Sequence, residues 1–193
     1  MKFTQIPTTA MKEMQLNAGI LLDEFTPATA EVSGIIGATS GGIKFSATPT
    51  YSDFGEDIDN CPKNMMELKR LDSVEVKISG TFVTMNKENA RRLMAAADID
   101  TSNSTKITPR NDLSVDDFAD LWWVGDYSDK NGAKNGGFVA IHVMNALNTG
   151  GFQLQTGDKS KTQFPFEFTG HSSIAAQDVV PYEVYIKAGT EEA

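Results

Sequence analysis

The feature that most limits what this chain can fold into is a run of strict two-residue alternation from Val74 to Thr84. Val74, Val76, Ile78, Gly80 and Phe82 fall on one side, and Glu75, Lys77, Ser79, Thr81 and Val83 on the other. A period of two over that length is the signature of a β-strand with one packed face and one wet or interfacial face. Similar patterns recur. Ile43 to Thr50 alternates after Gly41-Gly42, and Phe164, Phe166 and Phe168 alternate within Phe164 to Thr169. Leu121 to Tyr127, Phe138 to Leu147 (apolar on both faces), Phe152 to Gln155 and Tyr182 to Lys187 also read as strands, with Asn131-Gly132 and Asn135-Gly136 marking a hairpin-like connection. Shorter apolar pieces lie at Gly19 to Leu22 and Val32 to Ala38.

One helix stands out, at about residues 87–97. Asn86 can cap it, Glu88 suits the positive end of its dipole, and Ala90, Leu93, Met94 and Ala97 recur at i, i+3, i+4 and i+7. Arg91 and Arg92 take its outer face. The expected fold is therefore mainly β: a β-sandwich or barrel of seven to eight strands with one flanking α-helix. Residues 1–16 show neither period and read as an extended N-terminal arm, residues 17–187 as a single domain, and residues 188–193 as a polar tail. From Tyr51 to Asn64 the period vanishes in a loop that holds Asp53, Glu56, Asp57 and Asp59 with no basic residue before Lys63. A loop this long inside a compact domain is functional or disordered.

Composition narrows the function classes. At 193 residues, 40% apolar and 22% charged, the chain can bury a core without staples. No apolar run approaches the roughly 20 residues that cross a bilayer, and Met1 to Ala10 lacks a secretory pattern. The single cysteine, Cys61, excludes an internal disulfide and fits a reducing cytoplasm. A net charge of −9 argues against a surface that grips nucleic acid, while it is compatible with a wall that repels phosphates.

No catalytic motif emerges. The two histidines, His142 and His171, sit in strand-like segments far apart in sequence, and nothing around Cys61 would lower its pKa. The glycines at 34, 37, 41 and 42 lack a phosphate-loop lysine, and Asp57-Ile-Asp59 and Asp98-Ile-Asp100 lack the spacing of a calcium loop. The reading is therefore not an enzyme, with no cofactor and no metal. Two charge features remain. Six aspartates lie between Asp112 and Asp129 with no Lys or Arg, and seven basic residues face four acidic ones between Lys63 and Arg92. Either these are solvated faces or they are complementary patches that meet between identical subunits. Trp122 and Trp123 are adjacent, so on a strand they point to opposite faces, one into the core and the other exposed or at an interface.

Several stretches read together resemble phage and prophage major tail tube proteins. They are Gly42-Ile-Lys-Phe-Ser-Ala-Thr-Pro-Thr-Tyr leading into the acidic loop, then LKRLDSVEVKISGTFV, then NKENARRLM, with Gly151-Phe-Gln-Leu-Gln, Phe164-Pro-Phe-Glu-Phe-Thr-Gly-His and Val180-Pro-Tyr-Glu-Val-Tyr-Ile toward the end. The resemblance covers about residues 17–187. It implies a structural subunit of a bacteriophage tail, assembled in the host bacterial cytoplasm as six-subunit rings stacked around a tape measure protein. The tail terminator and baseplate or tail-tip proteins would be its other partners, and viral DNA would pass through an acidic-lined conduit without specific binding. No membrane is involved. Another virion or secretion-tube β-sandwich, such as a tail terminator or a secretion-system tube protein, is the alternative. By the same resemblance Phe3, Ile6 and Leu16 of the arm, Tyr51, Asp53, Phe54, Glu56, Asp57 and Asp59 of the loop, and Arg91 and Arg92 are candidate contacts between subunits or rings. Glu75, Lys77, Ser79 and Thr81 form the candidate lumen face, on which Lys77 does not suit a purely acidic wall unless it pairs with an Asp or Glu next door.

Overall fold

The computed structural model describes residues 5–129 and 136–190. It is mainly β and entirely antiparallel, with the strands β1 (Gln15–Thr26), β2 (Glu31–Ile35), β3 (Lys44–Asp53), β4 (Lys69–Phe82), β5 (Ala97–Ile99), β6 (Ile107–Pro109), β7 (Ala119–Tyr127), β8 (Gly137–Asn148), β9 (Phe164–Thr169) and β10 (Tyr182–Lys187), and the helix α1 (Lys87–Leu93). Eight strands form the principal sheet in the order β2-β1-β7-β8-β9-β4-β3, with β10 also on β8, while β5 and β6 form a separate hairpin. No helix among the described residues is long and apolar enough to cross a membrane.

β8 turns this sheet into a sandwich. Beside β7 it carries a second neighbour that changes along its length: β10 from Phe138 to Val143, then β9 at Leu147 and Asn148. The layer β2-β1-β7-β8-β10 thus passes into the layer β9-β4-β3. Between them lies the main core, in which Leu21, Val76, Ile78, Phe82, Leu93, Leu121, Val143 and the three phenylalanines of β9 are buried. Alternation places those residues: on β4, Val76, Ile78 and Phe82 point inward, and Phe82 stacks on Phe166 with centroids 4.4 Å apart. Gly80 is also inward, where a Cβ would come within 2.9 Å of both Ile43 and Phe166. Only glycine lets β3, β4 and β9 close at that point.

The two apolar faces of β8 have an intramolecular cause. Val143 faces the main core, whereas Phe138 and Ala140 join a second buried cluster with Leu22, Phe25 and Trp122, flanked by Tyr185. The doubly apolar strand therefore does not require a partner subunit. Trp122 and Trp123 part as alternation requires: Trp122 is buried in the second cluster, and half-buried Trp123 packs on the first and donates from Nε1 to Ala18 O at 3.0 Å.

Other expectations are corrected. The helix ends at Leu93, four residues short of 97, because Ala95 takes a left-handed φ of 60° and Ala97 opens the β5–β6 hairpin. Two buried asparagines fix this short helix to both layers. Asn89 donates to Ile36 O, and Asn148 donates to Leu93 O at 2.7 Å and Gly151 O at 3.1 Å while accepting from Glu167 N at 3.1 Å. Residues 152–154 form no strand, and Gln155 alone bridges to Gln163. The arm ends earlier than residue 16: Gln15 and Leu16 already pair with Tyr127 and Asp126. Residues 131–135 of the hairpin-like connection lie outside the described residues.

Candidate functional site

The candidate surfaces are a ribbon, a polar sheet face and a set of open strand edges. The ribbon follows from unequal strand lengths. β4 pairs with β9 only from Lys77 to Phe82, whereas it pairs with β3 from Lys69 to Ser79. Among the described residues, 69–75 therefore pair with β3 alone, and with it they form a two-stranded ribbon leading to the connection at residues 54–68.

That connection is ordered by one aspartate. Asp53 accepts from Gly55 N through Oδ1 and from Asn64 N through Oδ2, both at 2.9 Å, and Phe54 N donates to Leu68 O at 3.0 Å. The hydrogen bonds from Gly55 and Asn64 hold the Asp53 carboxyl below its ordinary value, despite some desolvation. Asp53 is thus a structural hub of the loop. Tyr51, Phe54, Ile58, Met66 and Leu71 expose apolar surface along the ribbon and its tip. Glu56, Asp57 and Asp59 are exposed and make no ion pair among the described residues. Lys69 lies over the Tyr51 ring, 5.3 Å from its centroid.

The polar face comprises Glu75, Lys77, Ser79 and Thr81 of β4, flanked in register by Lys44, Ser46 and Thr48 of β3 and by Glu167 and Thr169 of β9. Lys77 Nζ lies 2.8 Å from Glu75 and 3.7 Å from Glu167, which supplies the partner that the sequence required. The hydrogen bond to Glu75, followed by the charges of Glu75 and Glu167, raises the Lys77 pKa against desolvation. Two lysines face two glutamates, and the other flanking residues are hydroxylated except Pro165, which lies opposite Thr81. A wall built from this face is close to neutral, so an acidic lining would have to draw its charge from other residues.

Arg91 and Arg92 are placed differently from the solvent-facing pair expected. Arg91 contacts Glu88 at 3.4 Å and the buried Asp117 at 4.0 Å, and Arg92 pairs with Asp23 of β1. Arg110 binds the same Asp117 at 2.5 Å and Asp98 at 2.8 Å. Of the two complementary stretches legible in the sequence, a single contact, Arg91 to Asp117, joins them within one chain among the described residues. Leu16 is half-buried within β1, Ile6 is exposed, and Phe3 lies outside the described residues.

The residues weighed for chemistry have packing environments. His142 stacks on Trp122 with centroids 4.1 Å apart and sits 3.1 Å from Asp120 and 3.5 Å from Glu183. Tyr185 donates to Glu183 at 2.5 Å, and that bond, then His142, lowers the Glu183 pKa. His171 meets the ring of Phe118 edge-on, with Nδ1 3.1 Å from Asn145 O. Cys61 Sγ touches Met65 Sδ at 3.5 Å and Pro62 O at 3.6 Å. Among the described residues, no group of three His, Cys, Asp or Glu side chains could hold a metal ion.

The sequence raises exposed strand edges as a hazard that a ring would remove, without showing which strands form them. Among the described residues, β2, β3 and β10 of the principal sheet are each paired on one side only, as are β5 and β6 of the separate hairpin. All five residues of β2 are exposed, as are Val184 and Ile186 of β10. The available signal was the alternation itself, but no single strand's pattern shows whether it lies in the middle of a sheet or at its edge.

No family model matches the chain, and no curated protein matches it either.

Proposed function

We propose that this chain is the repeating structural subunit of a bacteriophage tail tube, forming six-membered rings that stack into a conduit for DNA. The observation that carries this reading is the combination of three open strand edges with a projecting two-stranded ribbon tipped by exposed apolar side chains. Open edges are templates for further pairing and drive uncontrolled aggregation unless something covers them. A closed ring of copies pairs such edges, and a ribbon along the tube axis links one ring to the next. The polar face of β3, β4 and β9 then lines the lumen, where a hydroxylated, charge-balanced wall gives phosphates little to bind.

In this role the chain acts by assembly, without catalysis or a cofactor. Its partners are further copies of itself, the tape measure protein around which rings stack, and the terminator and baseplate or tail-tip proteins at the two ends. Its location is the virion tail, built in the host bacterial cytoplasm.

Negative-stain electron microscopy of the purified protein across a concentration series tests the reading. Rings or hollow cylinders of uniform width are the expected result. Monodisperse monomers at every concentration, also after addition of a tail initiator complex, would refute it.

A further inference from the structure

Residues 152–154 have the sequence of a strand and the environment of none. Phe152 and Leu154 alternate with Gln153 and Gln155, yet 41% of Phe152 and 55% of Leu154 is exposed. No backbone N–H or C=O of Phe152, Gln153 or Leu154 has a partner among the described residues. The segment is nevertheless held at both ends. The buried Asn148 amide grips Gly151 O at 3.1 Å, and Gln155 and Gln163 exchange two backbone hydrogen bonds of 2.9 Å. It is an extended, apolar, anchored segment whose hydrogen-bonding groups are free.

Charge distinguishes among the open edges that could receive it. The connection at residues 149–163 carries Lys159 and Lys161 against Asp158, and neither lysine makes an ion pair among the described residues. β3 presents Lys44 without an ion pair and Asp53 with its carboxylate already bonded to Gly55 and Asn64, and the free carboxylates Glu56, Asp57 and Asp59 lie beyond the strand in the loop. On β10, Glu183 is already engaged by Tyr185 and His142, and the strand ends in Lys187. The β1–β2 hairpin differs: no Lys or Arg occurs between residues 13 and 43, and Asp23 is neutralised by Arg92. Glu24 is left without an ion pair, and Glu31 has only the Thr29 hydroxyl at 3.1 Å. This edge also exposes Val32 and Ile35.

We infer that Phe152–Gln155 adds as a strand to the open edge of β2 in a second copy of this chain, with Lys159 and Lys161 facing Glu24 and Glu31. The inference rests on the proposed self-assembly and names the surfaces that meet. Added pairing supplies the missing backbone partners, and the apolar residues of both segments leave water together. Opposite charges select this edge over the other two.

Charge exchange tests it. Two variants are made, Lys159→Glu with Lys161→Glu, and Glu24→Lys with Glu31→Lys; all four positions are exposed, and circular dichroism and the melting temperature verify that the variants fold. Each variant alone should raise the concentration needed for assembly at least about tenfold. Mixing the two, or combining all four changes in one chain, should restore assembly. Rescue seen in rings or tubes, or in oligomers of another shape, supports the pairing, although the second case removes the tube reading. Folded variants that assemble like wild type overturn the pairing and leave the tube reading standing. A wild-type protein that stays monomeric throughout overturns both.

Discussion

Asn148→Ala is the substitution whose cost is most directly worked from the structure. The side chain is 3% exposed and makes three hydrogen bonds: two donated, to the last helical carbonyl at Leu93 and to Gly151 O, and one accepted from Glu167 N. Alanine leaves all three backbone groups without this partner, the Leu93 carbonyl buried and the Gly151 and Glu167 groups partly exposed. At about 1 kcal/mol for each hydrogen bond the loss is about 3 kcal/mol, with the buried bond to Leu93 carrying the largest share. With a urea m-value of about 2 kcal/mol/M, the unfolding midpoint falls by about 1.5 M and the slope is unchanged. Asn148→Asp keeps the volume but turns an acceptor toward the carbonyls of Leu93 and Gly151, so it should cost at least as much. Urea titration followed by far-UV circular dichroism, at concentrations below assembly, measures both. A midpoint shift of less than about 0.5 M for Asn148→Ala, equivalent to about 1 kcal/mol, would refute the idea that this asparagine fastens the helix to the β8–β9 junction.

Three further predictions concern separate parts of the molecule. Gly19 has φ +70°, and a Cβ there would lie 2.5 Å from Trp123 Nε1 and 2.6 Å from Val124 O, so Gly19→Ala should destabilise the fold by about 2 kcal/mol and shift the tryptophan emission; unchanged emission and melting temperature would count against this close packing of Gly19 on Trp123. Removing residues 1–13 spares Gln15 and Leu16 of β1 and should leave the melting temperature intact while tube growth is lost, as electron microscopy would show; normal tubes from the truncated protein would exclude the arm from assembly. The depressed pKa of Asp53 means that its contribution to loop order is present above the ordinary aspartate value and is lost as pH falls through the lower, folded-state value. The amide resonances of Gly55 and Asn64 should therefore move together in that acidic window, and Asp53→Asn should abolish the transition.

What the sequence disclosed depended on whether a local pattern controlled the outcome. β4, β9 and β10 were readable because one face of each is packed, or lies in register with a packed neighbour, and alternation reports that directly. β1 was seen only in its centre, since Asn17 and Gly19 adopt positive φ and shift the register between Leu16 and Ile20. β5 and β6, of three residues each, are too short to show a period, and the helix stripe ran on through Ala97 because apolar spacing cannot reveal that Ala95 reverses the backbone. Lys77's need for a carboxylate was legible, but its second partner, Glu167, comes from β9, a neighbour set by topology. The same holds for Arg92 and Asp23, which pair helix with β1.

Those long-range pairs bear on how assembly could be specified. Arg91, Arg92 and Arg110 are drawn onto Asp23, Asp98, Asp117 and Glu88, and Lys77 onto Glu75 and Glu167, so they hold the helix, the β5–β6 hairpin and the polar face in place. The pairs on Asp117, whose side chain is buried, are poor candidates for contacts between copies, because breaking one leaves a charge in a place that water reaches badly. The groups left over differ in arrangement: Lys159 and Lys161 lie in the connection at residues 149–163 and Glu24 and Glu31 on the β1–β2 hairpin, whereas the ribbon mixes Lys63, Lys69 and Arg70 with Glu56, Asp57 and Asp59. Opposite charges that stand on separate surfaces attract in few orientations. Among the three open edges of the principal sheet, that restriction favours pairing at β2 over pairing anywhere.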